Sequence, residues 1–199
     1  VTQPQPLLAP ILSRLGACNE PDPPNNAVAW AGKRRASRTA YHACKRGDWL
    51  LWLAARVGVD WRLVILSVCD CAEARGVDLA PPNNFHMRVL ETVRKWCAGK
   101  ASFFELSDVA CAAHDVASLG NHTDEGGAAF AAYLAANAAY VAAAYGLRNA
   151  ALPNTVADVY VFLDDVSQRR LADLVRARIP WETMRKSLMA PHGCGVKDD

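Results

Sequence analysis

Cys69 and Cys71 are the two thiols closest together in the chain, and a Cys-x-Cys pair invites a metal or redox reading. The surrounding pattern is helical, however, and helical residues two apart point about 200° apart. His42 and Cys44 have the same spacing and the same problem. A zinc set drawn from Cys69, Cys97, Cys111 and His114 is geometrically open, because Cys111 and His114 are i, i+3. The simpler reading makes these thiols small core hydrophobes, so no metal is expected. His114, Asp115, His122, Asp124 and Glu125 gather around one loop and suit acid–base work or cation binding. No spaced motif accompanies them: HExxH, the Walker loop, GxGxxG and GxSxG are all absent. Cys18 and Cys194 lie outside the helical patterns, with no rigid element to hold either one beside a base. No catalytic residue and no cofactor is therefore expected.

Two groups of residues suit binding better than chemistry. Lys33, Arg34, Arg35 and Arg38, followed by Lys45 and Arg46, form the strongest basic cluster, which suits an acidic protein surface or phosphate. It lacks interleaved aromatics or a recognition-helix pattern, so nucleic acid is not expected, and its plain reading is a solvated face. Trp49, Trp52 and Trp61 lie within thirteen residues of one another. Large aromatics dominate both cores and interface hot spots. Their helical spacing places them in the core first, with one free to line a groove. Arg34, Arg35, Arg38, Trp49 and Trp52 are the candidate partner-binding residues.

The elements that must position these residues are helices. Trp49, Trp52, Leu53 and Arg56 fall at i, i+3, i+4 and i+7. Trp61, Val64, Ile65, Val68 and Cys69 form a second stripe, and Val89, Val93, Trp96 and Cys97 a third. Each stripe needs burial against another helix. Ser37 is expected to cap a helix that Gly47 stops. Asp48 caps the next, stopped by Gly58, and Asp60 a third, stopped by Gly76. Asn83 or Asn84 opens a helix to about Ala98. Ser102-Phe-Phe-Glu105 reads as a capping box for a helix to about Ser118. An Ala-rich helix over about 128–145, one over about 155–178, and a last one from Trp181 to Met189 complete the body. Six of the eleven prolines precede residue 25, so the start reads as an arm with a short helix around Leu12 to Cys18 and a turn at Asn25 and Asn26.

The chain thus reads as all-α, a compact bundle of about seven or eight helices. It divides into a Pro-rich N-terminal arm (1–35), a helical domain (36–189) and a C-terminal tail (190–199). At 199 residues it needs no disulfide or metal staple for stability. Seven cysteines cannot all pair within one chain, which points to a reducing, cytoplasmic setting. No basic patch followed by an apolar run opens the chain, so no signal peptide is expected. A net charge of +2 makes no general case for nucleic acid or anionic membrane. Residues 126–147 carry no charge, but Ala predominates over the Leu, Ile and Val that drive insertion, so a buried helix is expected rather than a membrane span.

The run Ala43-Cys-Lys-Arg-Gly-Asp-Trp-Leu-Leu-Trp-Leu-Ala-Ala-Arg56 resembles the start of the immunity-protein-like domain family of bacterial and phage genomes. So do Arg62-Leu-Val with the Cys69-Asp-Cys71 helix, the segment Arg88 to Gly99, and Leu171 to Glu182, over roughly residues 38–185. The resemblance implies an α-helical, non-enzymatic protein that neutralises or covers a protein partner such as a toxin. The arm and tail fall outside it. They leave a second expectation: a structural or accessory protein of a phage virion or similar assembly, with the arm linking neighbours and the location then the virion. Self-association is open under either.

Overall fold

The computed structural model describes residues 5–17, 26–76, 85–119, 132–133, 135–140 and 165–190. Among them the secondary structure is helical, apart from one isolated antiparallel bridge between Leu7 and Arg35. The chain is all-α, as its periodicity requires. It divides into two compact units, Val1–Lys45 and Arg46–Asp199.

The first unit holds α1 (Leu8–Arg14), α2 (Ala27–Ala31) and α3 (Arg38–Ala43). The short helix expected at Leu12 to Cys18 lies earlier. Leu8, Ile11 and Leu12 form its buried i, i+3, i+4 stripe, and Pro10 sits in the first turn, where a missing N–H costs nothing. Asn26 does more than turn the chain: its side chain accepts from Ala29 N–H at 2.7 Å and caps α2. Asn25 lies outside the described residues. Backbone bonds from Leu8 to Arg34 (2.8 Å) and from Ala36 to Pro6 (2.9 Å) tie the start of α1 to the segment that follows α2. Ser37 caps α3 through Ala40 N–H, as its type and position require.

The second unit holds α4 (Gly47–Arg56), α5 (Trp61–Gly76), α6 (Phe85–Cys97), α7 (Phe103–Leu119), a helical piece at 132–133 and 135–140 (α8), α9 (Asp165–Arg178) and α10 (Trp181–Met189). Helix α5 is central, packing on α4, α6 and α9, and α4 also packs on α9. That position explains why Cys69 and Cys71, on different sides of α5, are both buried. Helices α5 and α6 pack together, and Val64, Ile65 and Val68 of the one and Val89, Leu90 and Val93 of the other have no exposure. Each large aliphatic side chain hidden this way contributes about 1.5–3 kcal/mol. Trp61 lies against Trp96 with ring centroids 4.7 Å apart, closing one end of that contact.

The helix boundaries follow local chemistry. Gly58 has a φ of 75°, and the bonds Gly58 N–H to Ala55 O and Val59 N–H to Ala54 O make a Schellman stop for α4. Gly99 (φ 70°) ends α6 through equivalent bonds to Trp96 O and Lys95 O. Asp60 opens α5, its Oδ1 accepting from Arg62 N–H at 3.0 Å. The capping box at α7 is complete: Ser102 Oγ accepts from Glu105 N–H at 3.2 Å, and Glu105 Oε2 accepts from Ser102 N–H at 2.7 Å. The start of α6 at Asn83 or Asn84, the first part of the expected 155–178 helix, most of the Ala-rich helix and the tail lie outside the described residues.

Gly47 departs from expectation. It does not stop α3, which ends at Ala43 with Cys44 already extended (φ −70°, ψ 115°). It is the first residue of α4, and Asp48 lies in the first turn, with Arg46 at the cap position. The reason is packing. A Cβ on Gly47 would stand 2.5 Å from Leu171 Cβ and 2.9 Å from Ala172 N, so only glycine lets α4 begin this close to α9.

Candidate functional site

The α4 surface is built from its N-terminus. Gln168, on α9 and 1% exposed, accepts with Oε1 from Gly47 N–H at 3.0 Å and from Asp48 N–H at 3.4 Å. It serves two of the amides that a helix start leaves without internal partners. Asp48, 2% exposed, then holds Arg46 with two oxygens: Nε to Oδ1 at 2.9 Å and Nη2 to Oδ2 at 2.6 Å. The guanidinium so fixed lies over the Trp49 ring, 5.2 Å from its centroid. At the other end of α4, Arg56 covers Trp52 at 5.6 Å.

Trp49 and Trp52 are half-buried, not core. The stripe facing inward from α4 is Gly47, Leu50, Leu51, Leu53 and Ala54. The helical spacing of the tryptophans holds, but it places them at the edge of the buried face, where each receives an arginine. The two arginines differ. Arg46 is neutralised by Asp48, whereas Arg56 makes no ion pair among the described residues, and its Nε is buried without a hydrogen-bond partner there. The face of α4 therefore offers two indole rings, each beside an arginine, and one cation that has no ion pair among the described residues.

Arg34, Arg35 and Arg38 lie in the first unit and are all exposed. Arg34 covers Trp30 at 4.8 Å and donates to Trp30 O. Arg35 donates to Gln5 O at 2.6 Å. Two of the three basic candidates thus fasten the first unit together, and Arg38 points to solvent. The expected cluster divides between the units, since Arg46 belongs to the second.

The thiol and histidine candidates separate. Cys69 and Cys71 are fully buried, and burial pushes both thiols far above their ordinary range, with Arg94 pulling Cys69 only partly back. Burial pushes Cys97 up to about 11. None of the three is a thiolate near neutral pH. Cys111 is exposed. Among the described residues no three His, Cys, Asp or Glu side chains are grouped to hold a metal ion. His114 and Asp115 are exposed on α7, 3.6 Å apart, while His122, Asp124, Glu125, Cys18 and Cys194 lie outside the described residues.

Sequence reasoning passed over three things. Gln168 carries no spacing signal, because its partner is on another helix. An ion network at the α5, α6 and α9 contact joins Arg94 to Asp70 (3.1 Å) and Glu73, and Arg178 to Asp70 (2.6 Å). A cleft of about 320 Å³ between α7 and α8 sets Tyr133, Asn137 and Tyr140 opposite His114 and Asp115. Among the described residues no helix is long and apolar enough to cross a membrane. No family model matches the chain, and neither a curated protein nor a solved structure matches it.

Proposed function

We propose that this chain is a non-enzymatic protein of the immunity-protein-like kind that covers an acidic surface of a protein partner with the Arg–Trp face of α4. The observation that carries the reading is Arg56: a half-buried guanidinium over Trp52 with no carboxylate paired to it among the described residues. Tryptophan and arginine are the residues most enriched in interface hot spots. Here the stacking holds each pair in one geometry before binding, which reduces the entropy lost on association. The sequence resemblance covers this helix through the run Ala43 to Arg56. The buried, protonated thiols of Cys69, Cys71 and Cys97 fit the same reading, since none is a nucleophile.

The alternative, a structural protein of a virion or similar assembly linked by its arm, draws less support. Residues 6–8 are hydrogen-bonded to residues 34–36 of their own chain. Capture from the native source followed by calorimetry on the purified pair tests the first reading. Arg56→Gln and Trp52→Ala should each weaken binding by roughly tenfold or more while the urea midpoint of Arg56→Gln stays near that of the unmodified chain. A partner bound equally well by both variants rejects it. Large assemblies that dissolve when residues 1–35 are removed would favour the alternative.

A further inference from the structure

The cleft between α7 and α8 is separate from the α4 face and carries a different chemistry. Among the described residues its wall holds a single carboxylate, Asp115, and no lysine or arginine. The α7 helix that supplies half of it has Glu105, Asp108 and Asp115, again with no lysine or arginine. Among the described residues three π-systems also line this space: His114, Tyr133 and Tyr140. Two are fixed by their neighbours. Tyr140 stacks on Phe103 with centroids 5.4 Å apart and 26° between planes, and Tyr133 meets His114 edge-on at 5.3 Å. Ser107 and Asn137 add neutral hydrogen-bonding groups.

Phenol faces attract cations through their quadrupole, and a nearby carboxylate supplies the counter-charge. An anion would meet the Asp115 carboxylate and the negative faces of the rings. About 320 Å³ is the low end of the range for small-molecule sites and too little for a folded peptide. We propose that this cleft binds a small organic ammonium cation, with the cation over the tyrosine rings and Asp115 as its counter-ion.

The full chain is titrated with choline and, separately, with 3,3-dimethylbutan-1-ol, its uncharged carbon isostere, while backbone amide shifts are followed by NMR. Choline should give saturable shifts centred on residues 107–115 and 133–140, and the isostere should bind roughly tenfold more weakly or not at all. Asp115 is exposed, so Asp115→Asn keeps the fold, and it should weaken choline several-fold. Tyr133→Leu should weaken it further, with the far-ultraviolet spectrum unchanged. Equal binding of the two probes, choline binding indifferent to Asp115→Asn, or no saturable shift at tens of millimolar choline would each overturn the proposal.

Discussion

Gln168 Oε1 lies 3.0 Å from Gly47 N, closing the start of α4 with a side chain 121 residues away. A helix that carries a candidate binding face is thus capped by a different helix. The cap has no alternative solvent: Gln168 is 1% exposed and Gly47 is buried. Gln168→Leu keeps most of the volume but leaves two amides unserved, and a buried donor without a partner costs about 1–3 kcal/mol. Urea denaturation should show a loss in that range. Gln168→Glu should do worse than a neutral acceptor, because its charge would sit beside buried Asp48.

Glycine to alanine at a helical position ordinarily stabilises by about 0.5–1 kcal/mol. Gly47→Ala should do the reverse, since its Cβ would collide with Leu171 Cβ and the Ala172 backbone at 2.5 and 2.9 Å. Overpacking of this kind costs about 1–3 kcal/mol. Gly58→Ala is the informative comparison: nothing lies within 4 Å of its Cβ, but its φ is 75°. It should cost about 1 kcal/mol from backbone strain alone. Thermal unfolding of both variants separates collision from strain. Only Gly47→Ala should also weaken binding of a partner at α4.

The thiols should report burial directly. Brief alkylation of the native chain, with the modified peptides read by mass spectrometry, should label Cys111 and leave Cys44, Cys69, Cys71 and Cys97 unmodified until the chain is unfolded. Labelling of Cys69 at the rate of Cys111 would contradict the packing of α5 described above.

A thiol whose pKa is raised by folding also links stability to pH. Between its ordinary value of 9.0 and about 11, Cys97 keeps its proton when folded and loses it when unfolded. The unfolded state binds fewer protons there, so stability is complete below about pH 9 and falls as pH rises toward 11. Cys69 and Cys71 act in the same direction. Urea midpoints measured from pH 7 to 11 should decline above pH 9, and Cys97→Ala should make the decline shallower.

Asp70 receives Arg94 from α6 and Arg178 from α9. Asp70→Asn should cost about 1 kcal/mol, the upper range for pairs that remain partly solvated. A double-mutant cycle with Arg178→Ala should show coupling between the two. Strict additivity would mean that the contact contributes nothing measurable.

Most of the described helices are legible in the chain; α2 reads there only as a turn, and α1 lies earlier than expected. Ser37, Asp60, Gly58, Gly99 and the Ser102–Glu105 box act through bonds to residues within five positions, so their types and spacing suffice. The start and stop at Trp181 and Met189 follow in the same way from Pro180 and the loss of periodicity. The all-α class rests on that local chemistry and on apolar stripes of helical period.

What the tertiary structure alone decided is where each stripe faces and which helix ends are served from afar. Gly47 reads locally as a stop, and only the approach of Leu171 makes it a start. Trp49 and Trp52 have core spacing, but in a helix that packs on both α5 and α9 the buried residues include Leu50, Leu51, Leu53 and Ala54, and the half-buried indoles lie beside Arg46 and Arg56. Tyr133, Asn137 and Tyr140 lie in an Ala-rich run with no signal of its own, and they face His114 and Asp115 only because α7 and α8 are neighbours in space. Contacts between residues more than a few turns apart depend on how helices pack, and helical periodicity carries no information about the partner.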